Sequence, residues 1–295
     1  MKKLLPMLAV LAAGLLLLLR PEDAAQAVRA GLGLCAGTVI PSLFPFFVVI
    51  SLLLQVGLTD SLQGVCGRIM GPLFGMRGTC ALPLLAGVVG GYPAGVKTAA
   101  ELYASGQLTR QEAELLLGFC DNCGPAFLLG YVGTAVLGGG GLGLRLWGIH
   151  LLSALLTGVL LCRLARDRGR ALPAHAALAE RPSFPLALTS SVERAVGSTV
   201  NVCAFVVLFQ TLAAVLPGSL PWPVLGFLEL VNGTSALPGG RAGFAGAAAL
   251  VGWGGLSVHC QGMSLGLPEG LSFRWHWVGK AMQAIFSALL ALALY

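Results

Sequence analysis

GFCDNCGPAFLLG, residues 118–130, sets Asp121 and Asn122 between two cysteines and follows them with Gly124-Pro125, all inside an apolar run. If the surrounding stretch 115–137 crosses a bilayer, its helix has to break here. The freed backbone N–H and C=O groups then need partners that hydrocarbon cannot supply, so such a break survives only against protein or a water-filled cavity. The alternatives are a metal or redox cysteine pair, or an ordinary loop.

Composition decides which solvent to reason about. With 56% hydrophobic residues, 10% charged and a mean hydropathy of +0.85, the chain fits a polytopic membrane protein far better than one or two soluble domains. The net charge of +6 is scattered among apolar spans, with its densest cluster in RLARDRGR, residues 163–170. That pattern reads as a topology signal and argues against nucleic acid as a partner. The eight cysteines form no regular framework and no second CxxC, so they read as small apolar residues in helices.

Continuous apolar spans lie near 4–19, 30–56, 115–137, 146–162, 190–216 and 275–295. The first follows a basic start and precedes Ala25-Gln26-Ala27, which resembles a signal-peptidase site; an uncleaved first helix is the preferred reading. Residues 81–100, ALPLLAGVVGGYPAGVKTAA, and 223–237, PVLGFLELVNGTSAL, are apolar at both ends and polar or glycine-rich between, as re-entrant hairpins are. Residues 243–267 carry a Gly-rich polar interruption at Ser257, His259 and Gln261 and read as a discontinuous helix.

These elements recur in order. An N-terminal helix and loop, 1–29, precede a first repeat, 30–162, of span, hairpin 81–100, broken span 115–137 and span. A basic cytoplasmic linker, 163–189, leads to a second repeat, 190–295, with hairpin 223–237 and broken span 243–267. The expected fold is thus an all-α polytopic membrane protein of inverted repeats. Arg163, Arg166, Arg168, Arg170 and Arg181 place the linker inside, and Lys2-Lys3 and Arg68 with Arg77 agree. The N-terminus is then inside and the C-terminus outside. Thr109 and Glu112 predict a capping box for the helix that follows.

Two broken spans and two hairpin tips, related by pseudo-symmetry, should meet near the midplane. The candidate solute-binding residues are Gly91, Tyr92, Pro93, Lys97, Asn122, Asn232, Thr234, Ser235, Ser257 and Gln261. Asp121, Glu229 and His259 are the candidates for a coupling proton or sodium ion. Each has a plainer reading: Asp121 as a helix cap, Asn122 as helix–helix glue, Glu229 as a shallow residue facing headgroups, Lys97 as a cation snorkelling to the surface, His259 as a packed neutral ring, and Tyr92-Pro93 as shapers of the turn. Cys120 and Cys123 are half of a tetrahedral site that His259-Cys260 would have to complete, and no thioredoxin-like βαβ pattern surrounds them. No metal, no organic cofactor and no catalytic residue is expected; no G-x-S-x-G, H-E-x-x-H or P-loop motif occurs, and His150 and His175 sit in ordinary span-end and loop contexts.

PSLFPFF (41–47), GGYPAGVKTAAELYASGQLTRQEAELLLGFCDNCGPAFLLG (90–130) and GGLSVHCQG (254–262) together resemble the sporulation integral membrane proteins of the YlbJ type, which contain a nucleoside-recognition or gate domain. That family looks distantly similar to concentrative nucleoside transporters. The resemblance implies a transporter of a small polar or anionic solute in a bacterial cytoplasmic membrane, and in sporulating members the movement of dipicolinic acid across a forespore membrane. It marks Gly91 to Gly95, Asp121 to Pro125, Asn232-Gly233 and Ser257 to Gln261. The chain departs from the commoner pattern at Cys123, where a serine is expected. The alternatives are a nucleoside-type transporter and a non-transporting membrane factor of sporulation or cortex assembly. The partners are the solute and the lipid bilayer, with self-association left open.

Overall fold

The computed structural model describes residues 4–165, 182–216, 218 and 220–295. Most of the basic linker, Arg166 to Arg181, lies outside the described residues, as do Lys2-Lys3 and His175. Among the described residues the fold is all helical. Four helices are long and apolar enough to cross a membrane: Gly141–Leu164, Phe184–Val215, Gly240–Gly266 and Arg274–Leu294. The number rises to six if each of two bent pairs counts as one span, Pro21–Val39 with Leu43–Val56 and Val65–Phe74 with Gly78–Gly90.

Helix α1 is Leu4–Leu19 and α2 is Pro21–Leu34, which starts with proline in its first turn. With 16 residues, α1 is about 24 Å long, short of a full hydrocarbon core. A π-helical turn at Cys35–Val39 joins α2 to α3, Ile40–Val56. Helix α4, Leu58–Phe74, forms where the sequence reading left a loop around Arg68. Next come α5, Ala81–Gly90, and α6, Ala94–Ala104, joined by the turn Gly91-Tyr92-Pro93. Helix α7, Arg110–Leu116, is followed by an irregular stretch and a π-helix at Ala126–Val136. Helix α8 is Gly140–Leu164 and α9 is Phe184–Val215. The short pair α10, Trp222–Leu228, and α11, Leu230–Ser235, meets at Glu229. Last are α12, Gly240–Trp253, α13, Gly255–Gly266, and α14, Arg274–Leu294.

Packing sorts these helices into two groups. Helices α2 and α3 lie along α9, while α8, α12 and α14 pack on one another and α8 also packs on the π-helix at Ala126–Val136. Leu117, Phe119 and Cys120 belong to a core with Phe74, Val96, Leu102 and Leu271, and Cys123 belongs to another with Leu128, Leu146, Phe244 and Val251. The irregular stretch after α7 therefore runs from one core into the other.

The distribution of polarity is that of a protein in lipid. On α14 the buried side is His276, Gly279, Lys280, Gln283, Ser287 and Ala291, and Val278, Ile285, Leu289 and Leu292 are exposed. Helix α8 repeats the pattern, with His150, Ser153 and Thr157 inside and Leu144, Leu152 and Leu156 outside. Polar-in and apolar-out is the reverse of a soluble helix, and it suits hydrocarbon as the outer solvent.

The capping box at the start of α7 is present in both directions: the Thr109 hydroxyl accepts from the Glu112 N–H at 3.2 Å, and the Thr109 N–H donates to Glu112 Oε2 at 2.9 Å. Arg77 completes it by donating to both carboxylate oxygens of Glu112 and to the Gln107 carbonyl. Burial pushes the Glu112 carboxyl up, and Arg77 with Thr109 overrides it, leaving the group below its ordinary value of 4.5. A carboxyl depressed in the folded state stabilises the fold above its ordinary value and loses that contribution as pH falls through the depressed one. In detergent, the melting temperature should start to fall on this account only below about pH 4.5. Arg77→Gln should cost about 1–3 kcal/mol at neutral pH, less than a fully buried pair because Arg77 is partly exposed, and should shrink the acid loss, because the Glu112 carboxyl then rises back toward its ordinary value. Superimposable acid limbs for wild type and variant would show that the pair carries no such linkage.

Candidate functional site

The run 115–137 is not one helix. Helix α7 stops at Leu116, residues 117–124 are irregular, and a π-helix resumes at Ala126. What permits this path is glycine on the neighbouring helices. A Cβ on Gly87 of α5 would lie 1.8 Å from the Cys120 carbonyl oxygen, and one on Gly95 of α6 would lie 2.0 Å from the same atom. From the other side, a Cβ on Gly279 of α14 would lie 2.0 Å from the Gly118 carbonyl oxygen. Three helices thus close onto bare main chain.

The polar stripe of α14 then satisfies that main chain. His276 Nδ1 meets the Leu117 carbonyl at 3.0 Å, and Lys280 Nζ donates to the Asp121 carbonyl at 2.9 Å and to Gln283 Oε1 at 2.9 Å. Gln283 Nε2 donates to Asn122 Oδ1 at 3.0 Å, while Asn122 Nδ2 donates back to the Phe119 carbonyl at 3.0 Å. From α8, His150 Nε2 accepts the Cys123 N–H at 2.9 Å. Since that nitrogen is an acceptor, its neutral ring carries the proton on Nδ1. Both oxygens of the Asp121 carboxylate are buried with no hydrogen-bond partner.

The α5–α6 turn closes over this segment. Gly91 has φ +78, a region open to glycine, and a Cβ there would lie 3.0 Å from the Gly124 nitrogen. The Tyr92-Pro93 peptide is cis. The Tyr92 hydroxyl donates to the Val251 carbonyl of α12, and its ring lies 5.1 Å from Lys280 Nζ. Tyr92 therefore ties the first turn to the second broken element.

In that second element the break falls at Gly254-Gly255, with φ of +93 and +86, and Ser257, His259 and Gln261 lie beyond it on α13. His276 Nε2 and His259 Nδ1 are 2.8 Å apart. With His276 Nδ1 donating to Leu117, His259 is the donor to His276, and its own Nε2 is buried without a partner. Gln261 donates to Ser257, and Ser264 links the Gln261 carbonyl to Asn201 of α9.

The remaining candidates are placed differently. Lys97 does not snorkel to a surface: it is buried, pairs with Glu101 at 2.5 Å and lies over the Phe47 ring. Its charge is already met inside α6. Glu229 is buried rather than shallow and caps α11 by accepting the Asn232 N–H at 2.8 Å. The Thr234 and Ser235 hydroxyls bond to carbonyls of their own helix. This second turn reaches the site through the break, since a Cβ on Gly255 would lie 3.2 Å from the Leu230 nitrogen. Cys120 and Cys123 are buried free thiols, and among the described residues no group of three or more His, Cys, Asp or Glu is placed to hold a metal ion.

Sequence reasoning missed Lys280, Gln283 and His276, and set His150 aside as a span-end residue. The signal was there: His276, Lys280, Gln283 and Ser287 recur at helical spacing in an apolar run, and an ionisable group at such depth is a functional candidate.

With the geometry in view, residues 36–137 match the family described as Gate: Nucleoside recognition. The matched stretch contains α3 to α7, the irregular segment with Asp121 and the π-helix at Ala126–Val136. Beyond that match, the chain is similar to the sporulation integral membrane protein YlbJ of Bacillus subtilis (strain 168), with 25% identity over 319 aligned positions that cover 93% of this chain and 78% of that protein. The resemblance read from the sequence thus holds over nearly the whole chain. No solved structure matches it.

Two substitutions test the cradle. Gly87→Ala drives a methyl into main chain and should cost about 1–3 kcal/mol or prevent folding. Gly148→Ala, where a Cβ meets nothing within 4 Å, should leave the melting temperature in detergent unchanged. Equal melting curves for the two would contradict the close approach. The double variant Cys120→Ala with Cys123→Ala should fold and keep any activity of the wild type; an inactive, folded double variant would return a chemical role to the thiols.

Proposed function

We propose that this protein transports a small polar or anionic solute across a membrane, with Asp121, Asn122 and Lys280 at the centre of the solute site. The observation that carries the reading is a fully buried acid, amide and ammonium gathered on an unwound segment, between helices whose outer faces are apolar. A buried group of this kind in lipid is costly unless it handles a solute or an ion.

Support for two inverted repeats, 30–162 and 190–295, comes from contacts that occur in matching pairs. Helix α14 packs on α7 as α8 packs on α12, and α13 packs on α6 as the π-helix packs on α11. In this reading α5–α6 and α10–α11 are the two hairpins, and relative motion of the halves exposes the site to each side in turn. The N-terminus is inside and the C-terminus outside. The family resemblance makes dipicolinic acid the expected solute and the cytoplasmic or outer forespore membrane the expected place. Ser257 and Gln261 line the approach from α13, and Glu229, Asn232, Thr234 and Ser235 support the second break.

The match to a nucleoside-recognition family favours a second reading, a neutral nucleoside held by Asn122 and Gln283. Uptake of labelled dipicolinate and labelled uridine into proteoliposomes decides between them. Dipicolinate uptake above protein-free vesicles is expected, falling at least tenfold in Lys280→Met. Folded protein that moves neither solute would end the transporter reading in favour of a structural membrane factor of sporulation.

A further inference from the structure

Lys280 and Asp121, a base and an acid able to carry opposite charges, lie together without forming an ion pair. The ammonium spends its contacts on neutral groups, namely the Asp121 main-chain carbonyl, the Gln283 amide oxygen and the face of Tyr92. The carboxylate of the same Asp121 keeps both oxygens free of hydrogen bonds. Both side chains are fully buried, so neither charge is met by water. A pair whose charges sum to zero while neither is met by an opposite charge, and whose acid keeps both oxygens unpartnered, is poised for exchange.

We propose that this pair is a proton-coupling device: a solute carboxylate binds the Lys280 ammonium only together with one proton, which Asp121 takes up. The proposal rests on the transporter reading above and names its coupling ion. The charge balance is explicit. Before binding, +1 on Lys280 and −1 on Asp121 sum to zero. A solute carboxylate alone would leave one uncompensated negative charge in a site without solvent, at a cost of several kcal/mol. One proton from the aqueous phase converts the Asp121 carboxylate to the acid, and the sum returns to zero for a monoanion; a dicarboxylate dianion such as dipicolinate enters with a second proton on its other carboxylate. The protonated oxygen then becomes a donor, which the solute carboxylate can accept. On the far side the solute and the proton leave together.

A sodium ion fits less well, because it would place a second cation beside an ammonium already present. The other titratable groups whose charges act on the pair are Tyr92 from the turn, Cys120 and Cys123 from the segment itself, His150 from α8, His276 from α14 and His259 from α13. Their geometry leaves Asp121 as the acceptor. His150 Nε2 holds the Cys123 N–H, His276 holds the Leu117 carbonyl and His259, and the thiols and phenol are neutral in their resting form. Among the titratable groups just named, His259 Nε2 is the other open acceptor, and the variants below separate it from Asp121.

The test is dipicolinate binding to purified protein in detergent, measured from pH 5 to 9 by calorimetry, with proton uptake followed in weak buffer. Uptake of two protons per bound dipicolinate is expected, one on the solute and one on Asp121, with affinity falling about a hundredfold per pH unit over the range in which Asp121 is ionised in the free protein. Asp121→Asn should take up one proton fewer per bound dipicolinate, with a pH slope shallower by one decade per unit, and should accumulate dipicolinate less steeply under a pH gradient. His259→Gln should keep the wild-type slope. Infrared difference spectra add a readout that needs no transport: binding should produce a carboxylic-acid C=O band that Asp121→Asn lacks. PH-independent binding by the wild type, the full wild-type slope retained in Asp121→Asn, or accumulation driven by sodium would overturn the proposal while leaving dipicolinate flux, and so the transporter reading, intact. Uptake of uridine with no binding of dipicolinate would overturn it as well.

Discussion

The hydrogen bonds from α14 to residues 117–123 are what the rest of the structure depends on. An irregular segment in hydrocarbon exposes main-chain groups whose desolvation without partners costs several kcal/mol each. Here His276, Lys280 and Gln283, one face of a single helix, take the Leu117 carbonyl, the Asp121 carbonyl and the Asn122 amide in succession. The stripe is worth its own burial only because the segment is unwound. Neither element is stable in lipid without the other.

That mutual dependence explains the glycines around the site. For side chains of α14 to reach main-chain atoms, the helix axis must lie close to the segment, and Gly279 removes the one side chain that would hold it off. Gly87 and Gly95 do the same for α5 and α6. Close backbone approach over small residues is a general route to helix packing in lipid, where apolar side chains gain little by leaving the solvent. The same closeness excludes water from Asp121.

How far the sequence revealed this follows from the kind of signal each feature leaves. The long spans and both interruptions were legible because glycine, proline and polar residues stand out in apolar runs, and the capping box at Thr109 because it is a local four-residue pattern. Helix α4 was overlooked: its Gly, Asp and Arg residues lower the hydropathy, although they do not stop a helix that packs on α8 and the turn at Gly78–Cys80. Lys97 was read as an available cation because its partner Glu101 lies in the next turn, where only a helical register makes them neighbours. Lys280 went unnoticed because the eye follows breaks, and α14 is unbroken. Its polar stripe is spread from His276 to Ser287 and gains meaning only once the segment it serves is known to lie against it.

The irregular segment also belongs to both hydrophobic cores. Leu117, Phe119 and Cys120 are packed with α5, α6 and α7, whereas Cys123 is packed with α8 and α12. Asp121 and Asn122 sit between these anchors, with no regular hydrogen-bond ladder of their own to absorb a displacement. A shift of one core against the other must then be taken up in the φ and ψ of two or three residues, and those residues carry the acid and the amide. Closely packed interiors transmit such shifts rather than damping them. Relative movement of the two cores would therefore change the surroundings of Asp121 directly.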